Sequence, residues 1–376
     1  MTMTTPPRPF DAEALFLGLA AHRGTTTRLH PRPGTPGVAD SSVGGPLLWP
    51  ADEPWPVCRE GHGRGRGRRI ADIHRERQLL AEVWARNPDS GPTEAERGLL
   101  TELRRRHRVP GIADTDPLPM IGVAQLYRRD LPDLPAGPDG CDLLQVFWCP
   151  FDAHGPTGYG MSLDLRWRRS WEVADVLAEP PQPVVVGFDG YMAEPCVLTP
   201  EQVVTYPFAG LLPEDLCARI GAWDEAMEEA AEKAEEERWA ARMAAAAERG
   251  GLDGSEDGGD GPEEAVSYQC DLSIPPGWRV GGFASWHSTD PAPMDCPACA
   301  APMELLLTVD SSEWDGGTGS WIPVEDRSLP GGPGGPGGPG GPGGSTPTEV
   351  TVGRWGELNV FACPADPGHP HRWSIQ

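Results

Sequence analysis

The sequence predicts an α+β chain with a mostly β core, built from two diverged copies of one strand-rich unit. Three observations predict it. Short apolar blocks of strand length recur, as in Pro119–Leu126, Asp142–Cys149 and Leu358–Pro364. Three of these blocks occur twice, in the same order. Cysteines stand at the same block ends in both halves, with histidines downstream.

The repeat is read directly. Val43-Gly44-Gly45-Pro46-Leu47-Leu48-Trp49 matches Val280-Gly281-Gly282-Phe283-Ala284-Ser285-Trp286. Pro119-Met120 matches Pro302-Met303, each leading into an apolar strand. Leu144–Pro150 matches Leu358–Pro364, and Asp152 then matches Asp366. One block could recur by chance, but three in order are much harder to explain that way.

In chain order, residues 1–30 hold a loose Pro/Thr-rich start and a helix over Phe10–His22, with Leu15, Leu17 and Leu19 on its buried side. Residues 31–222 form the first repeat. Arg28–Pro50 is extended. Residues 59–118 are an Arg-rich insert that can form helices over Ile70–Arg86 and Thr93–Arg108. Ile73, Leu79, Leu80, Val83 and Trp84 give the first an apolar stripe. Thr93-Glu94-Ala95-Glu96 is a capping box for the second.

Ser162–Arg169 alternates as a half-buried strand, and Val184–Phe188 is a short one. Pro200–Val204 and Pro213–Glu229 open with proline and acid, as helices do. Residues 223–265 continue as an acidic Ala/Glu helix to Arg249 and a linker, Gly250–Glu264, whose composition predicts disorder. Residues 266–376 are the second repeat. A Gly-Gly-Pro loop, 328–348, is expected to be flexible there.

Charge narrows the function classes. The net charge of −25 repels polyphosphate and argues against general nucleic-acid binding. The 13 arginines of Arg59–Arg108 are set against 15 acidic residues in Asp224–Glu264, so these stretches can attract each other or dock a separate partner. No apolar run approaches the roughly 20 residues that span a bilayer, and no signal peptide is evident. The expected compartment is the cytoplasm, where nine cysteines point to metal or burial rather than disulfides.

Two ligand sets follow. Cys296-Pro297-Ala298-Cys299 is a Cys-x-x-Cys knuckle. Cys363 at a strand end and His369 complete a set of three sulfurs and one nitrogen, with His371 as the competing imidazole. This is the donor set of a closed, structural Zn2+ site. The first copy offers Cys58, His62, Cys149 and His154 for a second ion. Cys141, Cys196, Cys217 and Cys270 lack spaced partners and read as core or near-surface thiols. Four protein ligands leave no open metal position for catalysis, and no nucleophile elbow, phosphate-binding loop or His-Glu-x-x-His motif is present.

With these blocks in hand, the chain resembles the YwqG-like family of bacterial proteins, in an actinobacterial, cysteine-containing branch. The family resemblance is carried by Val43–Pro50, Met120–Leu126, Leu143–Pro150, Val280–Trp286, Met303–Asp310 and Leu358–Pro364, and the resemblance to the branch by Trp55–Cys58, Asp142–Asp152, Glu194–Leu198, Asp271–Trp278, Cys296–Cys299, Ser320–Ser328 and Cys363–Pro370. It brings no catalytic residues. The strand end Phe361-x-Cys363-Pro364 after a Cys-x-x-Cys also looks like the programmed cell death 2 family, whose chaperone role implies protein binding. The expected function is a zinc-binding, non-enzymatic protein-interaction or adaptor module with a protein partner. The alternatives are an enzyme with a site between the repeats and a nucleic-acid-associated regulator acting through residues 59–108.

Overall fold

The computed structural model describes residues 2–86, 91–155, 158–249, 265–327 and 344–376. In chain order the first-half strands are β1 (Gly24–Arg28), β2 (Arg32–Pro33), β3 (Ser42–Val43), β4 (Val57–Cys58), β5 (Arg66–Gly67), β6 (His107–Arg108), β7 (Leu118–Pro119), β8 (Ile121–Tyr127), β9 (Leu143–Trp148) and β10 (Leu163–Arg168). Then follow β11 (Cys196–Val197), β12 (Glu201–Thr205), β13 (Arg279–Val280), β14 (Glu304–Asp310), β15 (Glu357–Ala362) and β16 (Arg372–Ile375). The helices are α1 (Ala12–Leu15), α2 (Ile70–Arg86), α3 (Glu94–Leu103) and α4 (Glu214–Arg249). The architecture is α+β with open antiparallel sheets.

Two six-stranded sheets carry the chain, ordered β2-β11-β3-β8-β9-β10 and β12-β1-β13-β14-β15-β16. Their registers correspond position by position. Val43 pairs with Ala124, and Val280 with Leu307. Gln125 pairs with Gln145, and Thr308 with Asn359. In each pair the side chains also bond, at 3.0 Å for Gln145 Nε2 to Gln125 and 2.8 Å for Thr308 Oγ1 to Asn359. A bulge falls between Gly122 and Ala124 in β8 and between Leu305 and Leu307 in β14. Strands β1 and β12 lie in the second sheet although they come from the chain before residue 222, and β12 lies inside the 31–222 unit of the sequence reading.

The period of two along each strand sorts side chains into layers. Leu144, Val146 and Trp148 of β9 face inward, as do Leu358 and Val360 of β15, and all five join one buried cluster with Val123, Leu126, Leu307 and Val309. Both sheets therefore share a core. The alternate residues face outward. Phe147 and Cys149 enter one outer cluster with Trp49 and Cys58, while Phe361 and Cys363 enter another with Trp286 and Cys296. Strand periodicity thus puts each strand-end cysteine on the outer face of its sheet.

Several sequence expectations are corrected. The helix over Phe10–His22 is two short pieces, α1 and a 3-10 turn at Leu19–His22, because Gly18 at φ 101° breaks it. Ala12, Phe16 and Leu19 are buried there, whereas Leu15 and Leu17 are exposed. Pro200–Val204 is not helical. Val203, Val204 and Thr205 favour extended backbone, and Glu201–Thr205 pairs along β1. Val184–Phe188 makes only an isolated bridge, Val186 to Arg68. The helix expected over Thr93–Arg108 ends at Leu103, and His107–Arg108 turns into β6 against β5. The capping box of Thr93 and Glu96 is present. Helix α2 forms over Ile70–Arg86, burying Ile73, Leu79 and Val83 while Trp84 is exposed.

Acidic helix α4 runs unbroken for 36 residues. The linker 250–264 lies outside the described residues, as does 328–343 of the Gly-Gly-Pro loop. The end of that loop, 344–348, is held: Ser345 accepts from Glu313 N at 2.6 Å and Thr348 from Glu194 N at 2.8 Å. No described helix is long and apolar enough to cross a membrane.

Candidate metal centres

Each sheet brings one Cys/His quartet together at the corresponding strand end. In the first, Cys58 closes β4, His62 follows in the Gly/Arg loop, Cys149 follows β9, and His154 sits on a turn bridged to Gly160. All four are buried, and their ligand atoms lie within 4.8 Å of one another. His62 Nε2 is 3.6 Å from Cys58 Sγ and 3.4 Å from Cys149 Sγ. His154 Nε2 is 3.9 Å from Cys58 Sγ. A tetrahedral ion with Zn–S of about 2.3 Å and Zn–N of about 2.05 Å separates its sulfur and nitrogen ligands by about 3.6 Å. The quartet fits that geometry.

The second quartet is Cys296, Cys299, Cys363 and His369. The knuckle is a tight turn. Ala300 N donates to Cys296 O and Cys296 N to Ala301 O, both at 2.9 Å, with Ala300 at φ 58°. That left-handed residue is an uncommon conformation for a side chain with a Cβ. Cys299 Sγ lies 3.5 Å from Cys363 Sγ, and His369 Nδ1 lies 3.5 Å from Cys296 Sγ. His371 stands outside the quartet, half-buried, where burial pushes its imidazole below the ordinary value. The second centre is shallower, since Cys299 is exposed.

Polar groups behind the ligands orient them. His154 Nδ1 is 3.0 Å from Glu60 Oε2, and His62 Nδ1 is 3.2 Å from the Gly63 carbonyl. His369 Nε2 is 3.5 Å from Asp366 Oδ2. Such acceptors fix which ring nitrogen faces a metal. Buried Arg64 donates to the Cys58 carbonyl at 3.2 Å and lies 4.0 Å from its sulfur. Sequence reasoning missed Glu60, Arg64 and Asp366. Glu60 and Arg64 carry no sequence signal beyond proximity to a ligand, which many surface residues share, whereas Asp366 is also marked by its match to Asp152 in the repeat.

In each quartet one thiol, Cys58 in the first and Cys363 in the second, is drawn toward the charged form that binds metal. Cys58 is pushed down to about 3 by hydrogen bonds from Cys149, His154 and His62, against burial. Cys149 moves up, held as the proton-bearing partner by Cys58 and by burial, so the pair shares its protons unequally. At Cys363 burial acts upward, but the Asp366 backbone N–H, His369 and Cys299 bring it down to about 6. His369 is raised by Cys363 and then by Cys296.

The remaining cysteines stay apart from both quartets. Cys196 is buried and donates to the Pro347 carbonyl at 3.2 Å, while Cys141, Cys217 and Cys270 are half-buried.

Several arginines of the insert are occupied within the chain. Arg68 bonds Glu76 and Asp189, the latter in the turn after Gly187. Arg77 bonds Glu194 and the Met192 carbonyl, both at 2.7 Å. Arg86 pairs with Glu96 at 2.7 Å.

A second titratable cluster lies in the C-terminal sheet. Asp310 accepts from Gly277 N at 2.9 Å and Ser312 N at 3.1 Å. Buried Glu357 accepts from Asn359 Nδ2 at 2.8 Å, with Arg279 Nη2 at 3.9 Å. Burial, aided by Glu357, pushes Asp310 up to about 8. Between the free carboxylate value of about 4 and that value, the folded chain holds a proton that the unfolded chain has released. Stability therefore falls as pH rises through this window. Asp310→Asn is expected to flatten the fall by at least about 1 kcal/mol between roughly pH 5 and pH 8. Urea unfolding at the two pH values checks it, and parallel profiles for the two proteins would refute it.

No family model matches the chain, and no curated protein matches it.

Proposed function

We propose that the chain is a zinc-binding protein-interaction module of the YwqG-like kind, built by internal duplication and closed by one Zn2+ in each copy. The observation that carries the reading is the pair of four-ligand Cys/His sets at corresponding strand ends of two sheets whose four-strand runs, β3-β8-β9-β10 and β13-β14-β15-β16, match. The matched registers and bulges support the duplication. Three sulfurs and one nitrogen, or two of each, suit zinc better than hard cations. Four protein ligands fill a tetrahedral ion, so each would tie loops to a strand end rather than activate water.

A binding role is favoured over nucleic-acid regulation by the insert, whose arginines Arg68, Arg77 and Arg86 are spent on internal carboxylates. The partner is then a protein. Elemental analysis of the purified chain is expected to find about two zinc per molecule, one for each quartet. A metal-free chain that melts as a folded protein would sink the reading.

A further inference from the structure

The two sheets carry corresponding outer pockets, and the chain fills one of them more than the other. In the first sheet, Trp49, Trp55 and Phe147 form a three-ring cluster with centroid separations of 5.4, 5.3 and 5.2 Å. Trp55 Nε1 donates to the Met120 carbonyl at 2.8 Å. Beside it is a cavity of about 310 Å³, lined in part by Leu47, Trp55 and Met120 and by Ile70 and His74 of α2.

The second sheet repeats the frame without the third ring. Trp286, Met303 and Phe361 stand where the first sheet has Trp49, Met120 and Phe147. Trp286 and Phe361 lie 6.4 Å apart at 26°. The segment that carries Trp55 reads Glu53-Pro54-Trp55-Pro56, and its counterpart reads Asp290-Pro291-Ala292-Pro293. Alanine stands in place of tryptophan. The cavity there measures about 760 Å³ and is lined by Trp286, Ala292, Met303 and Phe361 among others. Among the described residues, no helix comparable to α2 lines it. Its lining holds two carboxylates, Asp133 and Glu304, and no lysine or arginine.

We propose that this cavity is the docking site for a tryptophan side chain of a partner protein, presented in a basic segment. The proposal rests on the interaction reading above and names the chemistry of the contact. The indole takes the place that Trp55 holds in the first sheet. It packs on Trp286 and Phe361 and donates to the Met303 carbonyl. An aromatic side chain seated in an apolar pocket is a common energetic centre of protein interfaces. The acidic rim matches a basic flank.

The test uses the full chain and a synthetic peptide, Arg-Pro-Trp-Pro-Arg, carrying fluorinated tryptophan and followed by fluorine NMR. An otherwise identical peptide with alanine in place of tryptophan is the control, read by calorimetry. The tryptophan peptide is expected to bind at least about tenfold more tightly than the control. Ala292→Trp, an exposed position at the pocket, is expected to abolish binding by filling the cavity from within, with zinc content and melting unchanged. Equal affinity of the two peptides, undiminished binding to Ala292→Trp, or binding of free indole but not of the peptide overturns the proposal. A stoichiometric partner that Ala292→Trp still retains overturns the docking site while leaving the interaction reading in place.

Discussion

Cys149→Ser is expected to release one zinc and to lower stability by on the order of 4 kcal/mol, the range reserved for loss of a metal or a buried network. Cys149 is fully buried within an outer cluster that includes Trp49, Cys58, Phe147 and Phe151. Its quartet joins β4, the strand end after β9 and the entrance to the helical insert. Without the ion, Cys58, His62 and His154 would remain packed together with no shared counter-charge. Cys299→Ser is expected to release the other ion at smaller cost, because Cys299 is exposed and its knuckle lies at the periphery. Zinc content and urea unfolding of both variants check this. Full zinc retention by Cys149→Ser, or equal destabilisation of the two variants, would contradict the assignment.

Trp148→Ala is expected to cost about 3–5 kcal/mol and to loosen both sheets together. Trp148 is fully buried, its Nε1 donates to the Tyr191 carbonyl at 2.9 Å, and its ring lies 5.3 Å from that of Tyr191. The cluster it belongs to includes Leu307, Val309 and Val360 of the other sheet. A void there removes contacts from both layers and leaves the Tyr191 carbonyl unpaired. Hydrogen exchange should speed up in β8, β9, β14 and β15 alike. Protection lost in the first sheet alone would mean that the two halves unfold independently.

Local signals were readable wherever the cause was local. The capping box at Thr93 and Glu96 and the apolar spacing of Ile73, Leu79 and Val83 predict the two insert helices. The quartets were also legible, because block repetition aligns Cys149 with Cys363 and each is followed by a histidine. Where the determinant was distant, reading failed. Glu201–Thr205 opens like a helix after Pro200, and pairing with Gly24–Arg28 across the chain fixes it as a strand. The Phe10–His22 helix failed for a nearer reason, since Gly18 permits a left-handed break that buries Phe16 instead of Leu17.

By itself, the sequence determined the two insert helices, the long apolar strands, the two candidate ligand sets and the repeated blocks, because these depend on residue type and short spacing. Tertiary structure alone decided that β1 and β12 cross into the second sheet and that both sheets share one core. It also brought His369 rather than His371 into the second quartet and left a cavity beside Ala292. These outcomes depend on which distant surfaces meet, and strand pairing between segments more than 150 residues apart, as in Thr27 with Gln202 or Val280, leaves no periodic trace in either segment.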